Sequence, residues 1–219
     1  FISSYLDDEE GIGEPFTLNR NKGKSFQGSI VLGLGFTLTY EKAEELIKRT
    51  PKNKDVIFPY LNGDDLNSHP EQKPSRYVIN FFDWEEEYCK TNYPDCYSII
   101  EENVKPERLK NNDEVAREKW WQFLRFRPAL YSAIKGKERV MVINRHTKYL
   151  GFLFVSSNYV YSEATVIIAS EELFRYLILN SIFSESWAWK NSSTMGNSGL
   201  RYTPTNCFET FPFPQVEEI

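Results

Sequence analysis

What this chain has little of narrows its class before any motif is found. Only three cysteines occur in 219 residues, Cys89, Cys96 and Cys207. The number is odd and no Cys-x-x-Cys pair exists, which argues against a disulfide framework or a zinc knuckle and points to a reducing, cytoplasmic setting. His69 and His146 are the only histidines, and neither has a second His or a Cys at ligand spacing, so no structural transition-metal site is expected. Stretches such as Ala164 to Ala169 fall far short of the roughly 18 apolar residues a membrane helix needs, and no basic-then-apolar start marks a signal peptide. No membrane span is expected. Aromatics, in contrast, are plentiful: 16 Phe, 13 Tyr and 5 Trp within 41% hydrophobic residues exclude a disordered tail. This length suits one large domain or two small lobes. The chain starts at Phe1 and stops in polar sequence, and we read it as part of a longer polypeptide.

A formal charge of −5 argues against a nucleic-acid partner until its distribution is considered. Between Arg117 and Lys148 nine bases face two acids, Glu118 and Glu138. Acid concentrates in Asp7 to Glu14 and again in Asp83 to Glu102, where Lys90 is the only base. Such patterning suits one basic and one acidic surface.

Periodicity predicts an α+β domain with a curved, largely antiparallel sheet, flanking helices and a long C-terminal loop. Helices are expected over Tyr40 to Arg49, Glu85 to Lys90, Tyr93 to Asn103, Ala129 to Lys135 behind Pro128, Glu171 to Ser181 and Ser184 to Lys190. Strands are expected over Gln27 to Leu32, Phe36 to Thr39, Val56 to Leu61, Arg76 to Phe82, Arg139 to Asn144, Tyr149 to Val155, Tyr159 to Ser162 and Thr165 to Ala169. Asn62 to Pro74 reads as turns, and Asn191 to Pro214 as largely loop. Residues 1–24 read as a connecting arm.

Motifs for covalent chemistry are scarce. Gly33-Leu34-Gly35 lacks the third glycine of a dinucleotide fingerprint, and no phosphate-binding loop, serine elbow or Asn-Pro-Pro-[Tyr/Phe] tetrapeptide of amino-methyltransferases occurs. The only Glu-x-Lys, Glu71-Gln72-Lys73, follows Asp64 and Asp65 in a turn-rich stretch. Those four residues define the enzymatic rival, a small metal-dependent nuclease. A second rival is a protein-interaction module built on exposed aromatics.

Recognition chemistry is better represented. Trp120, Trp121, Phe123 and Phe126 read as core aromatics that support Arg125 and Arg127 as phosphate donors. Arg145, His146, Thr147 and Lys148 lie at an expected hairpin turn, where donors project. The tail supplies Ser192, Ser193, Thr194, Met195 and Asn197 as small or adaptable contacts, then Arg201 and Tyr202. Arg201 is its only strong multi-donor side chain, shaped for guanine O6 and N7 or for a phosphate. Cys207 to Pro214 reads as an aromatic anchor that pins this tail.

Seven ordered segments then carry a family resemblance: Ser25-Phe26-Gln27-Gly28-Ser29 with Gly35-Phe36; Val56-Ile57-Phe58-Pro59-Tyr60-Leu61-Asn62-Gly63; Arg76-Tyr77-Val78-Ile79-Asn80-Phe81; Val104-Lys105-Pro106-Glu107-Arg108; Lys119-Trp120-Trp121-Gln122-Phe123; Tyr159-Val160-Tyr161-Ser162-Glu163; and Leu200-Arg201-Tyr202-Thr203-Pro204 with Phe208 to Pro214. Together they resemble the target recognition domain of MmeI-like restriction–modification enzymes, across nearly the whole chain. The resemblance implies a domain that reads double-stranded DNA for an adenine-N6 methyltransferase and an endonuclease on the same polypeptide. S-adenosylmethionine and divalent metal would serve those other domains, and no cofactor and no catalytic residue are expected here. On that reading 1–24 leads from a methyltransferase region, 25–214 is the recognition domain, and 215–219 begins a C-terminal extension.

Overall fold

Thr39 begins the first regular helix by accepting a hydrogen bond from Lys42 N at 3.3 Å, and the helix turns Ala43 and Leu46 inward at one face. This is helix α1 (Tyr40–Arg49), preceded by strands β1 (Ser25–Gln27) and β2 (Thr37–Leu38). The computed structural model describes residues 15–194 and 199–215, excluding the side chain of Thr194. Next come β3 (Ile57–Leu61), α2 (Gly63–Ser68), β4 (Arg76–Ile79), α3 (Glu86–Asn92), α4 (Pro94–Asn103), α5 (Lys105–Arg108), α6 (Glu114–Glu118) and α7 (Pro128–Ile134). The second half holds β5 (Arg139–Asn144), β6 (His146–Thr147), β7 (Leu153–Ser156), β8 (Val160–Tyr161), β9 (Thr165–Ile168), α8 (Leu173–Leu179), α9 (Ile182–Asn191), β10 (Ser193–Thr194) and β11 (Leu200–Arg201).

The α+β class holds, but the strands divide among three sheets where the sequence suggested one curved sheet. One has the order β1-β9-β5-β7 and is antiparallel throughout. A second has the order β2-β4-β3-β8, where β3 and β8 run parallel. The third is small, β10-β11-β6. Burial on both faces explains why β5 reads as an unbroken apolar run. Met141 and Ile143 pack with Val166, Ile168 and the C-terminal aromatics, whereas Val140 and Val142 pack with Leu130, Ile134 and Ile167.

Three other differences have local causes. The expected turn at Asn62 is a helix start: Asn62 Oδ1 accepts from Asp64 N and Asp65 N, and Asp65 Oδ2 accepts from Asn62 N at 3.0 Å. That capping box nucleates α2. Within the supposed tail loop are β10, β11 and a π-helical turn, Pro204–Phe208. Its anchor reading holds, since Cys207, Phe208, Phe211 and Phe213 are all buried. The expected arm is, from residue 15 on, tied to that anchor. Leu18 N donates to Glu209 O, Arg20 to Phe213 O, and buried Asn21 Nδ2 to the carbonyls of Phe208, Glu209 and Phe211. Residues 1–14 lie outside the described residues.

The three cysteines are free and buried, and burial pushes the Cys89 and Cys96 thiols up to about 12. Among the described residues no helix is long and apolar enough to cross a membrane.

Candidate nucleic-acid interface

The small third sheet unites two regions that lie about fifty residues apart in sequence. At the end of β5, buried Asn144 donates from Nδ2 to Gly63 O and accepts His146 N on Oδ1, which turns the chain out of the large sheet. Arg145 is held between strands, its N–H donating to Ala164 O and its carbonyl accepting Tyr202 N. β6 then pairs with β11 as Leu200↔Thr147 and Arg201↔His146, and β11 pairs with β10 as Ser193↔Arg201. Residues directly opposite in a sheet share a face. Leu200 is buried, so Arg201, His146 and Ser193 belong to the outward face, and His146 and Ser193 are exposed. Gly199 is required where β11 begins, because its φ is +110° and a Cβ there would lie 2.4 Å from Thr147 O.

Arg145 leads into this sheet and Arg201 lies in it, and Arg127 is near enough for its charge to act on Arg145. Burial, followed by the charges of Arg201 and Arg127, lowers the pKa of Arg145, with Glu163 as the acid acting against them. Among the described residues none of Arg127, Arg145 and Arg201 forms a salt bridge. Arg127 stands at the start of α7 with a left-handed φ of 66°, its Nε 3.4 Å from Gly28 O. Cations that repel one another without a paired acid make a site whose free energy falls when an anion enters.

His146 belongs to the same field. Burial, then Arg145 and Arg201, holds its imidazole below the ordinary value of 6.5, so the free protein carries it neutral near pH 7. A phosphate at this sheet would favour the protonated ring, so binding would take up a proton and duplex affinity should rise as pH falls through the value in the complex. Titrating the Kd from about pH 8 to about pH 5.5 should show this rise, and His146→Ala should flatten it relative to wild type. Identical profiles for the two proteins would place His146 away from the bound phosphates.

The remaining expected contacts disperse. Thr147 Oγ1 donates to Tyr149 O and accepts Tyr149 N, shaping the turn, while Lys148 lies 5.5 Å above the Tyr149 ring. Tyr149, 73% exposed beside these donors, was missed, although an aromatic residue next to Lys148 was a legible signal. Ser192 is half-buried, and its Oγ has no partner among the described residues. For Thr194 only the backbone, in β10, is described, and the expectations for Met195 and Asn197 fall outside the described residues. Tyr202 is a correction. Strand alternation sends it inward with Leu200, and it packs edge-on against Phe152 at 1% exposure, so its side chain offers nothing to a ligand. Arg125 is exposed on a strand bridge to Ile30, at a shallow cleft of about 320 Å³ that Lys119 and Arg127 also line. Its aromatic neighbours are core, as expected: Trp120, Trp121 and Phe123 are buried, and Phe126 stacks on Tyr131.

Three of the four residues of the nuclease rival are engaged elsewhere, and Asp64 is exposed. Asp65 is buried as the α2 cap, and Glu71 pairs with Lys73 at 2.8 Å in solvent. Among the described residues no group of three His, Cys, Asp or Glu side chains is placed to hold a metal.

The profile of the family described as "MmeI, target recognition domain" matches residues 25–215. Among solved structures, the Type IIL restriction–modification enzyme MmeI in complex with DNA has a similar fold, with a TM-score of 0.72 at 19% identity. The match covers 98% of this chain and 28% of that one. No curated protein matches the chain.

Proposed function

Because the chain belongs to the family of MmeI target recognition domains, we propose that it reads double-stranded DNA on behalf of methyltransferase and endonuclease domains in the same polypeptide. The charges of Arg127 and Arg201 that act on Arg145, beside the β6–β11 pair, support this reading. Arg127 and Arg145 would hold phosphates and set register, while the outward face of β11 would present Arg201 to base edges or to the backbone. The domain itself neither cleaves nor methylates in this scheme. S-adenosylmethionine and divalent metal would belong to the other domains.

Equilibrium binding to a labelled duplex at increasing salt tests the reading. The 219-residue chain should bind non-specifically with a Kd on the order of micromolar or weaker, and log K should fall linearly with log salt. Binding that ignores salt would instead support a protein-interaction module. Within the complete enzyme, Arg201→Ala distinguishes its two roles: a base reader relaxes one position of the recognised sequence at a cost of roughly 1–3 kcal/mol, and a phosphate contact weakens all sequences alike.

A further inference from the structure

One cleft takes no part in the third sheet. It is bordered by β3, the end of β4, the end of α7 and the residues leading into β8, and its volume is about 230 Å³. Sites for drug-sized ligands measure roughly 300–1,000 Å³, so this one suits a single small ring system. Phe58, Phe82, Tyr131 and Tyr159 line it with Lys135 and Lys137, and no Asp or Glu does. Neither lysine pairs with an acid among the described residues. Asn80, 1% exposed, also lines the cleft: its Oδ1 accepts Phe82 N at 2.9 Å, while its Nδ2 donates to no group among the described residues. A buried amide with an unused donor gains from any acceptor that enters. The same hydrogen bond helps hold Phe82 at a φ of +55°, a conformation that bulky residues seldom adopt and that clusters at ligand sites. There its ring stands edge-on to Phe58 at 5.8 Å and to Phe126 at 5.5 Å. Aromatic side chains for a base, with cations for its phosphate, are the parts by which unpaired nucleic acid is held.

We propose that this cleft holds one unpaired nucleotide, its base among the aromatic side chains and hydrogen-bonded by Asn80, its phosphate at Lys135 and Lys137. The source of that nucleotide rests on the DNA-binding reading, and two observations favour a nucleotide swung out of the bound duplex. Helix α7 starts next to Arg127 and ends at the cleft, where Ile134 and Lys135 line it. Seven helical residues span about 10 Å, the axial rise of about three base pairs. Phe126, the residue before Arg127, also touches both Phe82 and Tyr131. A strand held at Arg127 therefore passes within reach of the cleft, and a base that leaves the stack there exchanges its neighbouring bases for protein aromatics. A free mononucleotide offers the same chemistry and is separated from the strand by the test.

Binding of the 219-residue chain to a duplex with one unpaired adenine is compared with binding to the same duplex fully paired. The unpaired base needs little further unstacking, so its duplex should bind about tenfold more tightly. Tyr159→Ala should abolish that preference, and so should Lys135→Ala combined with Lys137→Ala, while binding to the paired duplex is unchanged. A preference that survives in both variants would overturn the proposal, because it would reflect only the flexibility of an interrupted duplex. Equilibrium dialysis against dAMP separates the sources. Binding of dAMP that both variants lose, without any preference for the unpaired duplex, assigns the cleft to a free nucleotide and removes the strand from it. Neither a preference nor dAMP binding in the wild type would overturn the proposal outright. The salt slope on the paired duplex tests the DNA reading separately, so a failure of either one can be recognised.

Discussion

Replacing Arg108 with alanine is expected to destabilise the domain by about 3–5 kcal/mol and to lower its melting midpoint by roughly 10 °C. Its side chain is 2% exposed, donating from Nε to Leu32 O at 2.8 Å and from Nη2 to Val31 O at 2.7 Å and Gln122 O at 3.2 Å. The guanidinium also lies 5.4 Å over the Phe36 ring. Burial lowers its pKa, yet an arginine stays charged in proteins, and here carbonyl dipoles take the place of water at Nε and Nη2, while Nη1 is buried without a partner among the described residues. Alanine would leave three acceptors unpaired and open a cavity at a strained point, since Leu32 adopts a φ of +51°. Lysine should recover little, because one ammonium cannot reproduce a planar fork directed at three carbonyls. Thermal unfolding followed by circular dichroism measures the effect, and an unchanged midpoint would show that the clamp is dispensable. Arg108 ends a segment that carries the family resemblance, and its role there is to join the Val31–Leu32 backbone to the aromatic block at Gln122.

The second large effect is on binding. Arg145→Ala combined with Arg201→Ala should reduce the salt slope by about two and weaken duplex binding by on the order of a hundredfold. The Arg201 charge lowers the pKa of Arg145, so their contributions need not add, and each single variant is required to apportion them. The same repulsion makes a second prediction that separates function from scaffold. Removing like charges that have no salt-bridge partner among the described residues should leave the melting midpoint unchanged or slightly raised. A double variant that binds weakly with its salt slope intact would mean that the arginines shape the sheet and do not touch phosphate.

The sequence alone determined the class, most elements and the family. Regular local signals were sufficient where an element is specified by its own residues, as with the 3.6-residue period of α1, Pro128 at the start of α7, or the buried run of β5. The paired aromatics of the Trp120 block could be assigned to the core because nothing else accommodates so much apolar area. Two misses were legible in principle: Asn62 with Asp65 is a capping box, and Leu200-Arg201-Tyr202 alternates in, out, in. The rest was decided by tertiary structure. β6 and β10 have two residues each, too short for any period to show, and the third sheet exists because Asn144 turns the chain outward and Gly199 lets β11 approach Thr147. Arg127, Arg145 and Arg201 are ordinary surface arginines when read in line. Strand pairing sets Arg201 opposite His146 and next to Arg145, and Arg127 is near enough for its charge to act on Arg145, because Coulomb energy depends on distance in space, not on separation along the chain.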